Sequence, residues 1–194
     1  MMGGGRISRA DDASVPDVSA AVAAAGAGAR RRLLPVLAVA VGVVAADQGT
    51  KLWALSRLAG NRVIALPGGW ADLRLISNPG AAFSVGGGAT WLFTLVALIA
   101  VAVIPWFAAR ARSRVQAIAL GLLLGGAAGN LWDRLFRSPA LGRGRVVDFI
   151  DYHGWFIGNV ADIAIVAGAG ILIVRAMTPL GRGHRIQGAQ CGHP

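Results

Sequence analysis

Residues 90–109 read TWLFTLVALIAVAVIPWFAA, twenty positions without a charge. A helix of that length, rising about 1.5 Å per residue, covers the roughly 30 Å hydrocarbon core of a bilayer. Its only helix breaker, Pro105, stands near the end, where a kink costs least. Working outward, residues 115–132 (VQAIALGLLLGGAAGNLW) repeat the pattern, and Phe156–Val174 repeats it around a single acid, Asp162. Upstream, Leu33–Ala46 is apolar behind Arg30, Arg31 and Arg32, and apolar character resumes after Lys51 as far as Leu55. No small-residue cleavage site follows that run, so it reads as a retained helix and not a removed signal peptide. The expectation is an all-α polytopic membrane protein with spans at about 33–55, 90–109, 115–132 and 156–174.

Composition agrees with lipid as part of the solvent. The 194-residue chain is 55% hydrophobic and 14% charged, too apolar for a soluble domain of this size. Lys and Arg number 19 against 9 acids, every acid being an aspartate. No basic stripe with interleaved aromatics appears, so nucleic acid is set aside and anionic membrane lipids are the expected partners of the arginines. Arg30–Arg32, Arg110, Arg112, Arg114, Arg175, Arg182 and Arg185 fall on one side, which the positive-inside rule makes cytoplasmic together with both termini. Lys51, Arg57, Arg62, Arg74, Arg134, Arg137, Arg143 and Arg145 fall on the other side, and the short inner loop decides. Residues 1–29 and 177–194 read as cytoplasmic tails, the first disordered, flanking a membrane domain at 30–176. The lone Cys191 reads as an incidental thiol on the second tail.

Two local patterns refine the picture. Val63–Leu66, the turn signal Pro67-Gly68-Gly69 and the alternating Ala71–Leu75 predict a small extracytoplasmic hairpin, a small sheet lying on the outer leaflet, with Trp70 at its tip suited to the membrane interface. Gly121, Gly125 and Gly129, spaced by four, predict a close-packed helix contact along the third span.

The acids carry the chemistry. Asp47, Thr50 and Lys51 share one helix face, so Asp47 and Lys51 form either a structural ion pair or a scaffold for a substrate site. Asn130, Asp133 and Arg134 repeat that spacing on the third span. Asp133 reads as structural, whereas Arg134 is free to neutralise it or to bind a carbonyl or lipid headgroup. Asp148 lies in the second outer loop, and Asp162 is expected about six residues, or about 9 Å, inside the fourth span. A carboxylate at that depth is expensive and marks a functional site by default, with Asn159 one turn earlier to orient it. Two carboxyls in a poorly solvated pocket share a proton and titrate as a pair. One then takes a proton from water while the other polarises a peptide carbonyl.

These residues lie in ordered motifs: Asp47-Gln48-Gly49-Thr50-Lys51; Asn78-Pro79-Gly80-Ala81-Ala82-Phe83-Ser84; Gly125 to Arg134 (GGAAGNLWDR); Val146-Val147-Asp148-Phe149; and Asn159-Val160-Ala161-Asp162. In that order, from about Leu33 to Val174, the sequence resembles lipoprotein signal peptidase, or signal peptidase II. The resemblance implies Asp148 and Asp162 as a catalytic dyad, Asn78, Asn130, Arg134 and Asn159 as substrate-binding residues, and Asp47, Lys51 and Asp133 as support. It implies cleavage of diacylglyceryl-modified prolipoproteins on the amino side of the lipidated cysteine, inhibition by the cyclic peptide globomycin, and no metal or organic cofactor. Gly158 stands where that family commonly has phenylalanine, and Phe156 is the candidate replacement for the aromatic contact. A small proton-coupled transporter would show repeats or broken helices around a midplane site. A zinc peptidase would need more than His153 beside Asp148 and Asp151. A purely structural bundle has no use for Asp162.

Overall fold

A computed structural model describes residues 18–80 and 90–178, the side chains of 18–25, 27 and 29 excepted. The expected tails at 1–17 and 179–194, Cys191, and the Ala81–Ser84 part of the second motif lie outside the described residues. The elements run α1 (Val18–Arg57), β1 (Val63–Ala65), β2 (Asp72–Asn78), α2 (Thr90–Ala108), α3 (Arg114–Phe136), β3 (Val146–Asp151), β4 (Ile157–Gly158) and α4 (Val160–Met177). Among the described residues four stretches are long and apolar enough to cross a membrane: Arg30–Arg57, Thr90–Ala108, Arg114–Phe136 and Val160–Met177.

The third helix is the hub. Of its most apolar stretch 56% is buried, against 6% for α2, so α3 is central and α2 lies at the edge of the bundle. The glycine stripe explains the packing. A Cβ on Gly121 would come within 2.8 Å of the Val36 carbonyl oxygen, and one on Gly125 within 2.7 Å of that of Ala40. Gly126 opens the next face, where a Cβ would meet the Ala161 carbonyl oxygen at 2.5 Å. Glycines thus bring α1 and α4 against α3 at backbone distance, as expected of small residues in apolar helices. Val36, Ala40, Ala117, Leu120 and Leu124 fill the dry interior towards one end.

The sheet caps the other end. Its order is β1-β2-β3-β4, antiparallel throughout. The expected hairpin is β1 with β2, and Trp70 is exposed at its turn. The two further strands were not expected. All six residues of β3 are buried, because Phe149 and Ile150 pack on Ala54, Leu58 and Ala71 beneath the sheet. The β-branched run Val146-Val147 was a usable strand signal.

Two boundaries differ from expectation. The first helix begins at Val18, so residues 18–29 are helical and not part of a disordered tail; the alanines there are the strongest helix formers. The fourth span begins at Val160, four residues later than expected, because Ile157 and Gly158 pair with β3 and Asn159 caps the helix. Asp162 is therefore in the first helical turn, and not six residues deep.

Candidate active site

Four aspartates converge where α1, α3, α4 and the sheet meet, and they fall into two pairs. Asp148 reaches the cluster from β3. The register sets Ile76 opposite Asp148 and Asn78 opposite Val146, so Asn78 lies diagonally across from Asp148 within side-chain reach. Its Nδ2 donates to Asp148 Oδ2 at 2.7 Å. Asn159 Nδ2 donates to Asp148 Oδ1, also at 2.7 Å.

Asp162 is held by the helix start itself. Asn159 is the N-cap, its Oδ1 accepting from the Asp162 N–H at 3.1 Å, while the Asp162 carboxylate accepts from the Asn159 N–H at 3.1 Å. This reciprocal capping box satisfies two N–H groups that a helix start otherwise leaves open. The other carboxylate oxygen accepts from Asn130 Nδ2 at 2.8 Å. One residue, Asn159, thus touches both carboxylates. Among the described residues neither Asp148 nor Asp162 forms an ion pair.

Asp47 and Asp133 have the opposite surroundings. Lys51 Nζ, fully buried, lies 2.8 Å from Asp47 and 2.9 Å from Asp133. Its third contact, at 3.2 Å, is Asn130 Oδ1. An ammonium has three donors, and these acceptors use all of them. With its oxygen turned to Lys51, the Asn130 amide must present its NH₂ to Asp162. Asp47 also accepts from the Ala161 N–H at 3.1 Å, tying α1 to the start of α4.

Asp133 pairs with Lys51 and with Arg137 Nε at 2.6 Å, and accepts from the Val147 N–H at 3.2 Å. Its neighbour Arg134 does not neutralise it, because adjacent residues on a helix point in different directions whereas i and i+4 face each other. The same spacing rule would have found Arg137. Gln48, one residue from Asp47, donates to Gly129 O at 3.2 Å and to Asp133 at 3.3 Å. Its place in the first motif was the only sequence signal.

Arg134 turns elsewhere. It is buried, its Nη1 has no hydrogen-bond partner among the described residues, and its guanidinium lies 5.3 Å from the centre of the Phe93 ring. With Asn130 it closes the polar end of a groove of about 260 Å³, whose walls include Val96, Ala100, Ile104, Leu123 and Ile165. His153, at φ +53, lies 2.6 Å from Gly69 O through Nε2 and joins two turns of the sheet. Phe156 borders the acids. A Cβ on Gly158 would fall 2.6 Å from its ring and 2.9 Å from an Asp162 oxygen, so the ring and carboxylate share the space that glycine leaves.

Burial and the neighbouring Asp162 carboxylate push Asp148 up to about 6, against the hydrogen bonds from Asn78 and Asn159 and the charge of Lys51. Such an acid keeps its proton into a mildly acidic range where an ordinary aspartate has lost it, as paired carboxyls do in a site of low polarity.

An enclosed polar cluster at the end of four apolar spans, under a small sheet, defines a multi-span membrane protein built around a set of carboxyl groups. Residues 39–178 match the family model described as Signal peptidase (SPase) II. The chain is 44% identical over 172 residues to the lipoprotein signal peptidase of Streptomyces griseus, covering 86% of this chain and 87% of that one. It is 45% identical over 151 residues to that of Rhodococcus jostii, covering 78% and 76%. A solved structure described as a bacterial membrane enzyme aligns with a TM-score of 0.64 at 26% identity, covering 74% of this chain and 92% of that one. The chain belongs to the signal peptidase II family and is a membrane-embedded protease.

Proposed function

We propose that the chain is an aspartic endopeptidase that removes signal peptides from diacylglyceryl-modified prolipoproteins, cutting on the amino side of the lipidated cysteine. The observation that carries this reading is the Asp148–Asn159–Asp162 constellation: one residue holds both carboxyl groups, Asp148 through its side-chain amide and Asp162 through its backbone N–H, and among the described residues neither acid forms an ion pair. A single proton shared by the pair divides the labour. The ionised acid takes a proton from a water between them, and the hydroxide formed attacks the peptide carbonyl. The protonated acid donates to that carbonyl oxygen, and a proton passes to the departing amine as the tetrahedral species collapses. Asn78, Asn130 and Asn159 aim the two acids and line the substrate site. Asp47, Lys51 and Asp133 hold the amides in place.

The groove beneath Arg134 supports recognition of the lipid. Its open guanidinium donor suits an ester carbonyl of the glyceryl group, and the apolar walls suit part of an acyl chain. A buried donor is costly when unpaired, so substrate relieves that cost on binding. Both termini are cytoplasmic in this reading, with the dyad at the outer face of a bacterial inner membrane; cysteines at Ser113 and Trp155 should then label from opposite sides. Incubation of the purified protein with prolipoprotein tests the proposal. Diacylglyceryl-modified substrate should be cut, unmodified substrate should not, and globomycin should block the reaction. Equal cleavage of both substrates would overturn the lipid requirement.

A further inference from the structure

At the end of the bundle opposite the acids lies a cavity of about 460 Å³ lined by Arg31, Arg32, Arg112 and Arg114, with Pro35, Ala117 and Ile118 among its apolar walls. The arginines come from two sides: Arg31 and Arg32 from α1, Arg112 from the α2–α3 connection and Arg114 from the first turn of α3. Four guanidiniums around one concavity repel one another, and the electropositive start of α3 adds to the field. Arg112 donates its backbone N–H to Gln116 Oε1 at 2.9 Å, but among the described residues none of the four guanidiniums makes a hydrogen bond or ion pair. Their neighbour Arg110 shows the alternative: it lies over the Trp106 ring, 3.7 Å from its centre, and donates to the Trp106 carbonyl at 2.8 Å. The described acids are Asp47, Asp72, Asp133, Asp148, Asp151 and Asp162. Asp47 and Asp133 share α1 and α3 with the cavity but lie 12 and 15 residues beyond Pro35 and Ile118, and the others belong to the sheet or to the first turn of α4.

From this cavity we infer a binding site for an anionic phosphate diester, the headgroup of a membrane phospholipid. Depth and shape select the lipid over a soluble ion. Arg30 and Arg114 begin two of the membrane-spanning stretches, so the cavity lies at the level of the lipid phosphates. Guanidinium forks match phosphate oxygens in pairs. Below them Pro35, Ala117 and Ile118 offer a dry surface to the start of an acyl chain, which a free phosphate would leave unused. The site is separate from the acids and does not depend on the proposed peptidase mechanism.

The test is native mass spectrometry of the purified full-length chain with phosphatidylglycerol and phosphatidylcholine. Wild type should retain the anionic lipid preferentially. Removing two guanidiniums by Arg112→Gln with Arg114→Gln should cut that retention about tenfold. Because lost arginines can disturb insertion, Ile118→Trp provides a second variant that fills the cavity and leaves every charge in place; it should also lose the lipid. Equal retention of the two lipids, or unchanged retention in Ile118→Trp, overturns the assignment. Inorganic phosphate that binds the lipid-free protein and displaces phosphatidylglycerol would reassign the site to a soluble anion and overturn it too.

Discussion

Asp47 and Asp133 face cations, whereas Asp148 and Asp162 face amides. All four are aspartates within one polar cluster, yet their partners differ in kind. Lys51 and Arg137 hold the first pair at 2.6–2.9 Å. Among the described residues the second pair receives only neutral donors, from Asn78, Asn130, Asn159 and one backbone N–H. An ion pair commits a carboxylate to its charge. An amide orients a carboxyl without neutralising it, so a proton can still come and go. In the proposed reading the ion-paired acids therefore serve as scaffold, and the amide-held acids have the properties that the chemistry requires.

The largest expected effect falls on the amide-held pair. Asp148→Asn and Asp162→Asn should each lower cleavage of diacylglyceryl prolipoprotein at least about a thousandfold, the double variant being scarcely worse than either. Near-normal turnover in Asp162→Asn would show that the comparison has no catalytic meaning.

The next effect falls on the scaffold, in stability. Lys51→Met leaves Asp47 and Asp133 buried without their shared cation and should cost about 3–5 kcal/mol, read as a lower thermal midpoint in detergent. Asp47→Asn and Asp133→Asn should likewise harm folding more than chemistry. If Lys51→Met keeps the wild-type midpoint, the ionic cluster is not what supports this end of the bundle.

The third prediction uses pH. Asp148 is raised from 3.8 to about 6, so the folded state holds this proton more tightly than the unfolded chain. Stability should fall as pH rises through that interval. Asp148→Asn removes the penalty, and should raise the thermal midpoint above pH 6 by up to about 3 kcal/mol equivalent but change little at pH 4. In turnover, loss of the shared proton produces a basic limb. Asn78→Leu deletes a donor that favours the charged form, so the limb should move to higher pH.

The smallest expected effect tests the wall beside Asp162. Gly158→Ala should displace the Phe156 ring or the carboxylate and slow cleavage about tenfold, because small misplacements are costly in a preorganised site. Adding Phe156→Ala should recover part of that loss. No recovery would mean that the ring is not what the new methyl group meets.

The spans, the hairpin, the glycine stripe and the Asp47–Lys51 pairing were legible because each rests on local spacing: apolar run length, turn residues, and residues three or four apart on a helix. The family resemblance selected all the clustered acids. Strands β3 and β4 were less legible, since a two-residue strand carries little periodicity and a strand buried on both faces does not alternate. The start of the fourth helix was misplaced because Phe156 and Ile157 suit a helix and a strand equally well until Asn159 is seen to cap.

Hydropathy and charge along the chain were sufficient to determine four crossings and to mark Asp162 as an acid needing an explanation, because transfer into lipid is decided largely segment by segment. Partnership was decided only in three dimensions. Asp133 chooses Lys51 from α1 and Arg137 over its own neighbour Arg134, which is left facing a groove formed with α2 and α4. Asn159 touches both Asp148 and Asp162 only because β4 ends where α4 begins. Hydrogen bonds and ion pairs depend on ångström-scale geometry between segments far apart in the chain, and packing sets that geometry.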